Sequence, residues 1–495
     1  MDIIEADVVV IGGGGAGLSA AAEAAAHGAK VVVLEKNPEP GGSTSWSVGS
    51  VTATDTPHQH RAGIQDDAQA HFEDLALHAG PLVSRDNLAL RRLLVDNISE
   101  TLRWLMDLGV VFVGPEAEPP HRVPRMHNVV PNSKAFAYHL ARHCRRLGVD
   151  LRVNIAAQRF LEKDGKVMGV EARQPDGSLV EFHASRGVIL ASGDYSNAPD
   201  LKERLASPDI AQVDAVNPTA TGDGHRMALD LGASILNGDI VRGPIMRFVP
   251  PTRGNFIQKL PPSRAVATLI AWSMRIMPKA LLRPFLMSFL TTALGPSPDI
   301  YKQGGVLINK RGERFVDETQ SPNAAVARQP DRISWIVFDH ATARKFAAWP
   351  YFISTAPGVA YAYLADYRRN RADIYRQAET LPELAAGIGV PAQALCDSIE
   401  AYNGDGQRNR PPLAKGPFYA LGPVKSYVVF TDGGLAVNED LRVLRADGSV
   451  IDGLYAAGSA GQGGLLLEGH GHHLGWAFVS GRIAGRKAAM AHSLS

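Results

Sequence analysis

The sequence is short of several things, and each shortage narrows what the chain is. Cysteine is almost missing: Cys144 and Cys396 are the two present in 495 residues, and neither has a C-x-x-C neighbour. No redox pair is therefore expected, and both read as buried free thiols in helical segments. Excess charge is missing too. Lys and Arg number 51 against 50 Asp and Glu, a net charge of +1, which removes any bulk attraction to nucleic acid. No uncharged apolar run approaches the ~20 residues that span a bilayer. No repeat or low-complexity tract is evident. The first strand starts within seven residues of Met1, which leaves no room for a signal or transit peptide, so a cytoplasmic location is expected. What remains is ordinary for a globular protein, 45% apolar and 20% charged. The length predicts two to three domains, or two with one interrupted by the other.

One stretch organises the rest: Asp7 to Lys36, DVVVIGGGGAGLSAAAEAAAHGAKVVVLEK. Asp7–Ile11 is a β-branched run without breakers, as a strand buried on both faces requires. Gly12, Gly14 and Gly17 have G-x-G-x-x-G spacing. The first permits a tight turn, the second lets backbone approach a pyrophosphate, and the third lets helix lie on strand. The Ala-rich helix from Ala16 to about His27 aims its N-terminal N–H groups at phosphates, and Gly28 ends it. Val31–Leu34 is the second strand. Glu35 at its end is placed to accept hydrogen bonds from a ribose diol. Strand, helix, strand and acid together define a dinucleotide site. Gly41-Gly42-Ser43-Thr44 comes next as a second donor-rich loop, suited to a long cofactor such as FAD.

Further on, residues 66–110 have helical apolar spacing. Ser133–Leu147 reads as an amphipathic helix, followed by a strand at Asp150–Ile155 and a hairpin turning at Asp176-Gly177. Buried strand Gly187–Ala191 leads into Ser192-Gly193-Asp194, and Thr221-Gly222-Asp223-Gly224 opens a helix. Residues 244–432 change texture, with more proline, tyrosine and basic groups. Within them Gly304–Glu318 reads as a hairpin turning around Lys310–Gly312. From Gly433 the first texture returns and ends in a helix over Leu474–Ala489. A cofactor domain over 1–243 and 433–495, interrupted by a substrate domain over 244–432, is the expected layout.

The blocks VVVIGGGGAGLSAA, GGSTSWS, GVILASGD, TGDGHRMALDLGA, GGVLINKRGERFVDE, GPFYA and DGLYAAGSAG…HHLGWAFVSGRIAG stand in fixed order along nearly the whole chain. Together they resemble the FAD-dependent fumarate reductase and 3-ketosteroid dehydrogenase superfamily. The resemblance implies an α/β fold, a Rossmann-like FAD-binding domain interrupted by an α+β capping domain. It implies hydride transfer between flavin N5 and carbon, with a proton passing at the neighbouring carbon. Carried over residue by residue, Glu35 binds the adenosine ribose, and Ser43 and Thr44 lie along the pyrophosphate and flavin. Ala157 and Gly193 meet the adenine end by backbone, Asp223 borders FAD, and the helix opening at Leu474 points N–H groups at the flavin O2 edge. Gly12, Gly14, Ala16, Gly17, Lys36, Gly41, Gly42, Ser192 and Gly458 complete the expected cofactor set. No histidine stands beside Ser43–Thr44, where covalently flavinylated members carry one, so the FAD is expected to be non-covalent.

The sequence departs from both branches where they move protons. The position of the fumarate reductases' proton-donating arginine is Pro322, that of their substrate histidine is Phe430, and that of their clamping arginine is His473. A dianion needs bidentate arginine recognition, so fumarate and succinate are not the expected substrates. The tyrosines of ketosteroid dehydrogenases are missing as well. The loop LLLEGHGHHLGW, Leu465 to Trp476, carries Glu468, His470, His472 and His473 among glycines. It is the expected proton-transfer site, with His470 or Glu468 as acid–base and Tyr427 as a further donor. His58, His60 and His127 are weaker candidates, and Arg311 and Arg314 read as solvated or structural. No metal is expected, although a His-rich tract can bind zinc.

Ala265–Leu294 is apolar and basic, with Arg275, Lys279 and Arg283, no acid, and breaks at Pro278 and Pro284. Two short helices are expected, either at a membrane interface or as a greasy entrance to the site, or buried as a lid or oligomer contact. All of these favour a small apolar substrate, steroid- or terpenoid-like in shape, dehydrogenated or reduced across a carbon–carbon bond next to a carbonyl, as the resemblance implies. The electron acceptor and the oligomeric state stay open. Two other readings remain: a reductase of a small unsaturated acid, and a flavin-binding protein without dehydrogenase chemistry.

Overall fold

The computed structural model describes residues 2–251, 260–278, 283–284, 287–288, 291–292, 294–356, 360–406 and 409–494. Val8, Val9 and Val10 of the first strand, Asp2–Ile11, are fully buried, as their unbroken β-branched run requires. That strand pairs in parallel with Val31–Glu35 on one side and with Leu179–Leu190 on the other. Asp150–Val153 and Val450–Ala456 extend the sheet in parallel on either side, with Arg442–Leu444 antiparallel beyond the latter, so the last described strand completes a sheet begun by the first. Ala156–Lys163 and Lys166–Arg173 form a hairpin on the Leu179–Leu190 strand.

Two helices cover one region of this sheet and touch each other closely. Gly15–Ala26 lies against His472–Ala489, where Gly481 and Gly485 face Ala16 and Ala20. A Cβ on Gly485 would fall 2.2 Å from the Ala20 carbonyl oxygen, so only glycine allows this approach. The helix begins at His472, a fraction of a turn before the expected Leu474. The Leu88–Leu108 helix, capped by Asn87 and stopped by Gly109 in the left-handed region, packs into the same core.

A second, six-stranded sheet is centred on Phe418–Val428. Its strands alternate between two cores. Val306, Ile308 and Val337 face the helices Leu381–Ile388 and Ala392–Gly404, while Leu307, Ile336 and Phe338 face Phe248, Tyr367 and Phe346. The period-two rule of a strand produces both sides. The chain passes between the sheets through two short antiparallel ribbons, Ile235–Leu236 with Gly434–Leu435 and Val241–Arg242 with Phe430–Thr431.

Several local expectations need correction. Gly304–Glu318 is not a full hairpin: Val306–Ile308 pairs with Ile333–Phe338, and the return after the Lys310–Gly312 turn is a single bridge, Ile308 to Arg314. The distant strand offers a longer register than the local one. Cys144 is buried as expected, but Cys396 is only half-buried. Of the apolar segment, Arg264–Ile276 is one helix. The expected second helix, Lys279 included, falls largely on residues outside those described. No described helix is long and apolar enough to cross a membrane.

Candidate active site

The glycine turn does what its spacing predicts. Gly12 holds φ +106°, and a Cβ there would lie 2.4 Å from the Ala191 carbonyl oxygen; one on Gly17 would lie 1.9 Å from that of Gly12. Gly14 caps the first helix by backbone alone, and the N–H groups of Ala16 and Gly17 are among those no intrahelical carbonyl reaches. In front of them the structure is open. A Cβ on Gly14 meets nothing nearer than the Gly41 oxygen at 3.8 Å, one on Gly42 nothing nearer than 3.7 Å, and one on Gly193 nothing within 4 Å. Ser192 adds a buried hydroxyl with no partner among the described residues. A cradle of free N–H groups and glycine backbone fits the pyrophosphate of FAD.

The polar residues around this cradle hold one another. Glu35 is buried, accepting from Gly13 N–H at 2.8 Å through Oε2 and from Asn37 N–H at 2.8 Å through Oε1. Oε1 accepts from Asn37 Nδ2 as well, at 2.8 Å, so Oε2 is the oxygen with a second lone pair for a diol. Lys36 donates to Asp223 at 2.7 Å and to the Thr221 hydroxyl. Asp223 is thus ion-paired; burial would raise its pKa, and Lys36 and Thr221 outweigh burial and lower it. The Ser43 hydroxyl accepts from Asn217 Nδ2 at 2.8 Å, and Thr44 accepts the Gly15 N–H at 3.1 Å. Ala157 lies on the hairpin strand Ala156–Lys163. Gly458, at φ +63°, is tied to the last helix by its N–H on the Ser480 hydroxyl. Leu474 lies in that helix's first turn, after the left-handed N-cap Gly471.

A second polar group forms where the ribbon Val241–Arg242/Phe430–Thr431 meets the start of the last helix. Asp432 is fully buried. His473 Nε2 lies 3.1 Å from its Oδ1, Gln462 donates to the same oxygen at 3.0 Å, and Arg242 Nε donates to Oδ2 at 2.8 Å. Burial alone would raise the Asp432 pKa; His473 and Arg242 outweigh it and hold the carboxyl below the usual range. Arg242 also pairs with Glu468. The Phe430 ring sits 4.0 Å from the His473 imidazole, centroid to centroid. Asp194, also buried, accepts from the Ser196 hydroxyl at 2.8 Å, and burial pushes its pKa up.

The loop histidines therefore separate. His470 is turned outward, its side chain 63% exposed, with Nδ1 at 2.5 Å from Glu118. That hydrogen bond raises its pKa against the effect of burial. His472 points inward, is buried, and donates from Nδ1 to the Glu468 carbonyl. Only His473 joins a carboxylate inside the site. Tyr427 lies in the second sheet, paired with Asp214 and Ile245 across strands, and burial raises its pKa. His127 is buried against Thr56 and His58, and burial lowers its pKa to about 4. His58 also faces the Phe112 carbonyl, and His60 pairs with Asp55 at the surface. Arg314 is paired with Glu318.

Asp432 and Arg242 are the residues sequence reasoning did not reach. Asp432 carried a signal, since it belongs to FTDGG beside Phe430. Arg242 carried none.

The sequence matches the FAD binding domain family over residues 7–246 and 264–466, and the chain belongs to that family. It is 29% identical to a vinyl phenol reductase of Lactiplantibacillus plantarum, over 98% of this chain and 96% of that protein. It is 27% identical to an NADH:fumarate oxidoreductase of Klebsiella pneumoniae over 98% of its own length, but spans only 47% of that longer protein. Its fold is that of an open-conformation flavocytochrome c3 fumarate reductase, with a TM-score of 0.72, 24% identity, and 98% and 78% of the two chains covered. The 3-ketosteroid-Δ4-(5α)-dehydrogenase of Rhodococcus jostii RHA1 is also similar, with a TM-score of 0.60, 25% identity, and 98% and 97% covered. The cofactor is FAD, and the chain is an FAD-dependent oxidoreductase.

Proposed function

We propose that this enzyme transfers hydrogen across a carbon–carbon bond next to a carbonyl or similar withdrawing group, in a neutral, apolar substrate. The observation that carries this reading is the state of Arg242. Among the described residues around His473 it is the cation at hand, and Asp432 and Glu468 already occupy it. An arginine shared by two carboxylates has no charge to spare for a dicarboxylate. Phe430 against His473 supplies an apolar wall instead.

FAD, when bound, supplies the hydride chemistry. The proton belongs to His473. With Nε2–H donated to Asp432, the opposite nitrogen Nδ1 carries the lone pair and takes a proton; once protonated, it gives one back. Asp432 fixes the tautomer and steadies the imidazolium, and Arg242 and Gln462 fix Asp432. Glu468 acts through Arg242, and His470 stands outside. The cofactor is held without a covalent link, by a unit comprising residues 1–243 and 433–495, and residues 244–432 cap it.

The test is anaerobic. Flavin bleaching by saturated 3-ketosteroids, or reoxidation of the reduced flavin by neutral enones and vinyl phenols, supports the reading. Reoxidation by fumarate or acrylate alone overturns it in favour of a small-acid reductase. That second reading draws on the 27% identity to the Klebsiella enzyme. Silence toward the whole panel would leave a flavin-binding protein without this chemistry.

The Arg264–Ile276 helix supports an apolar substrate that arrives from a lipid surface. Ala267 faces inward at 1% exposure, while Leu269 and Trp272 are 63% and 57% exposed. Arg264 and Arg275 flank them without any acid on the helix, a pattern that suits an anionic membrane interface. Co-sedimentation with phosphatidylserine vesicles, lost in Trp272→Ala, is the expected result; no sedimentation of the wild type would exclude it.

A further inference from the structure

Outside the Asp432 group, histidines gather in the interior. His71 on the Ala68–Ala79 helix, His121 in the turn before the Met126–Val130 strand, and His472 at the head of the last helix are all buried. One ring nitrogen from each lies within 4.8 Å of the others. The His78 ring joins them, 4.4 Å from that of His121 and 5.5 Å from that of His472. Among the described residues, neither nitrogen of His71 has a hydrogen-bond partner, and nor does Nε2 of His78, His121 or His472. These atoms are sealed by the protein itself, so neither cofactor nor substrate reaches them. Buried polar atoms are normally satisfied, and so many bare nitrogens pointing at one another call for a common partner that accepts lone pairs.

We propose that His71, His121 and His472 bind one divalent transition-metal ion of the zinc and cobalt class. Three imidazoles without a thiolate suit such borderline ions. Nitrogens bound tetrahedrally at about 2.05 Å stand about 3.3 Å apart, so the nitrogens need to close by up to about 1.5 Å. His472 is already set for this: its Nδ1–H donates to the Glu468 carbonyl, which leaves the lone pair on Nε2, the outer contact typical of a metal-bound histidine. His71 has no partner at either nitrogen among the described residues.

His121 requires a tautomer change. Arg125 donates to its Nδ1 at 2.9 Å, so Nε2 carries the proton. Ligation through Nε2 sends that proton to Nδ1; the Arg125 contact is given up, and the ring turns to bring Asp74 Oδ2, now 3.8 Å away, into reach as the acceptor. The imidazole stays neutral and no net proton is released. Arg125 keeps Asp66, at 2.7 and 2.6 Å, as its partner. Asp66, Asp74 and Glu118 around the cluster offset the charge of an added cation. Burial keeps the three imidazoles neutral, the state a metal needs.

Such an ion ties the head of the last helix to the Ala68–Ala79 helix, one residue from His473. It is a positioning element, and the proposal departs from the expectation of no metal.

The test uses the full-length, FAD-loaded protein, stripped with a chelator and titrated with Co²⁺. One equivalent per chain should bind with the visible d–d bands of nitrogen-ligated cobalt, be displaced by Zn²⁺, and raise the melting temperature. His71→Ala and His121→Ala should each abolish the bands with the flavin spectrum retained, and His470→Ala should keep them. The wild-type titration decides even if a variant fails to fold. No bands and no stoichiometric binding in the wild type, or bands unchanged in the His71→Ala/His121→Ala double variant, would overturn the proposal.

Discussion

Nε2 of His473 and Oδ1 of Asp432 lie 3.1 Å apart, joining the first turn of the last helix to the residue that follows the Phe430–Thr431 strand, 41 positions earlier. The carboxylate is fully buried and the imidazole nearly so, at 18% exposure. This pair, rather than the exposed His470, has the geometry of an oriented general acid–base. His473→Gln and Asp432→Asn should each lower the rate of flavin reduction by substrate by roughly 10²-fold or more, with FAD content unchanged. His470→Ala should stay close to wild type in the same stopped-flow measurement. The opposite ranking would return the proton to His470.

Arg242 neutralises two carboxylates at once. Arg242→Met should leave the buried Asp432 with His473 and Gln462 but without its permanent cation, at a cost of about 3 kcal/mol. Denaturant unfolding should register the loss. The double variant Arg242→Met/Asp432→Asn should recover part of it, because the stranded charge is then gone.

The two glycines of the turn should fail in different ways. Gly17→Ala forces a Cβ to within 1.9 Å of the Gly12 oxygen and should yield little folded protein. Gly14→Ala has room in the protein and should fold, but its methyl projects into the phosphate cradle. Its flavin-to-protein absorbance ratio should fall well below that of the wild type.

Stability should fall in acid. His127, fully buried, has its pKa lowered from 6.5 to about 4 by burial. The unfolded chain therefore binds the extra proton first, so stability is intact above 6.5 and is lost as the pH drops toward 4. Between pH 7 and 4.5 the wild type should lose about 2 kcal/mol more than His127→Gln, other buried histidines adding to the common slope. His470 has the opposite sign. Its pKa is raised by Glu118, so that contact stabilises most below pH 6.5 and fades as the pH rises through the raised value. The melting-temperature gap between the wild type and Glu118→Gln should narrow from pH 6 to pH 9.

The cofactor cradle was legible because its requirements are local. A glycine every two or three residues, a β-branched strand before it and an acid after the next strand are each dictated within about thirty residues. The parallel sheet follows from that pattern, and the returning C-terminal segment was legible from its matching texture. The proton-transfer group was not legible. Asp432, Arg242 and Glu468 come from separate stretches, and nothing in their spacing says that they share one charge network. His470, His472 and His473 look equivalent in a glycine-rich loop, yet the helix starting at His472 turns them in three directions: out to Glu118, in to His71 and His121, and across to Asp432. The sequence by itself determined that the chain holds a dinucleotide, since backbone conformation near a phosphate depends on residue type, and its family resemblance made that dinucleotide FAD. Only the tertiary structure decided which loop histidine meets a buried carboxylate, since burial and a carboxylate partner are properties of the packed chain.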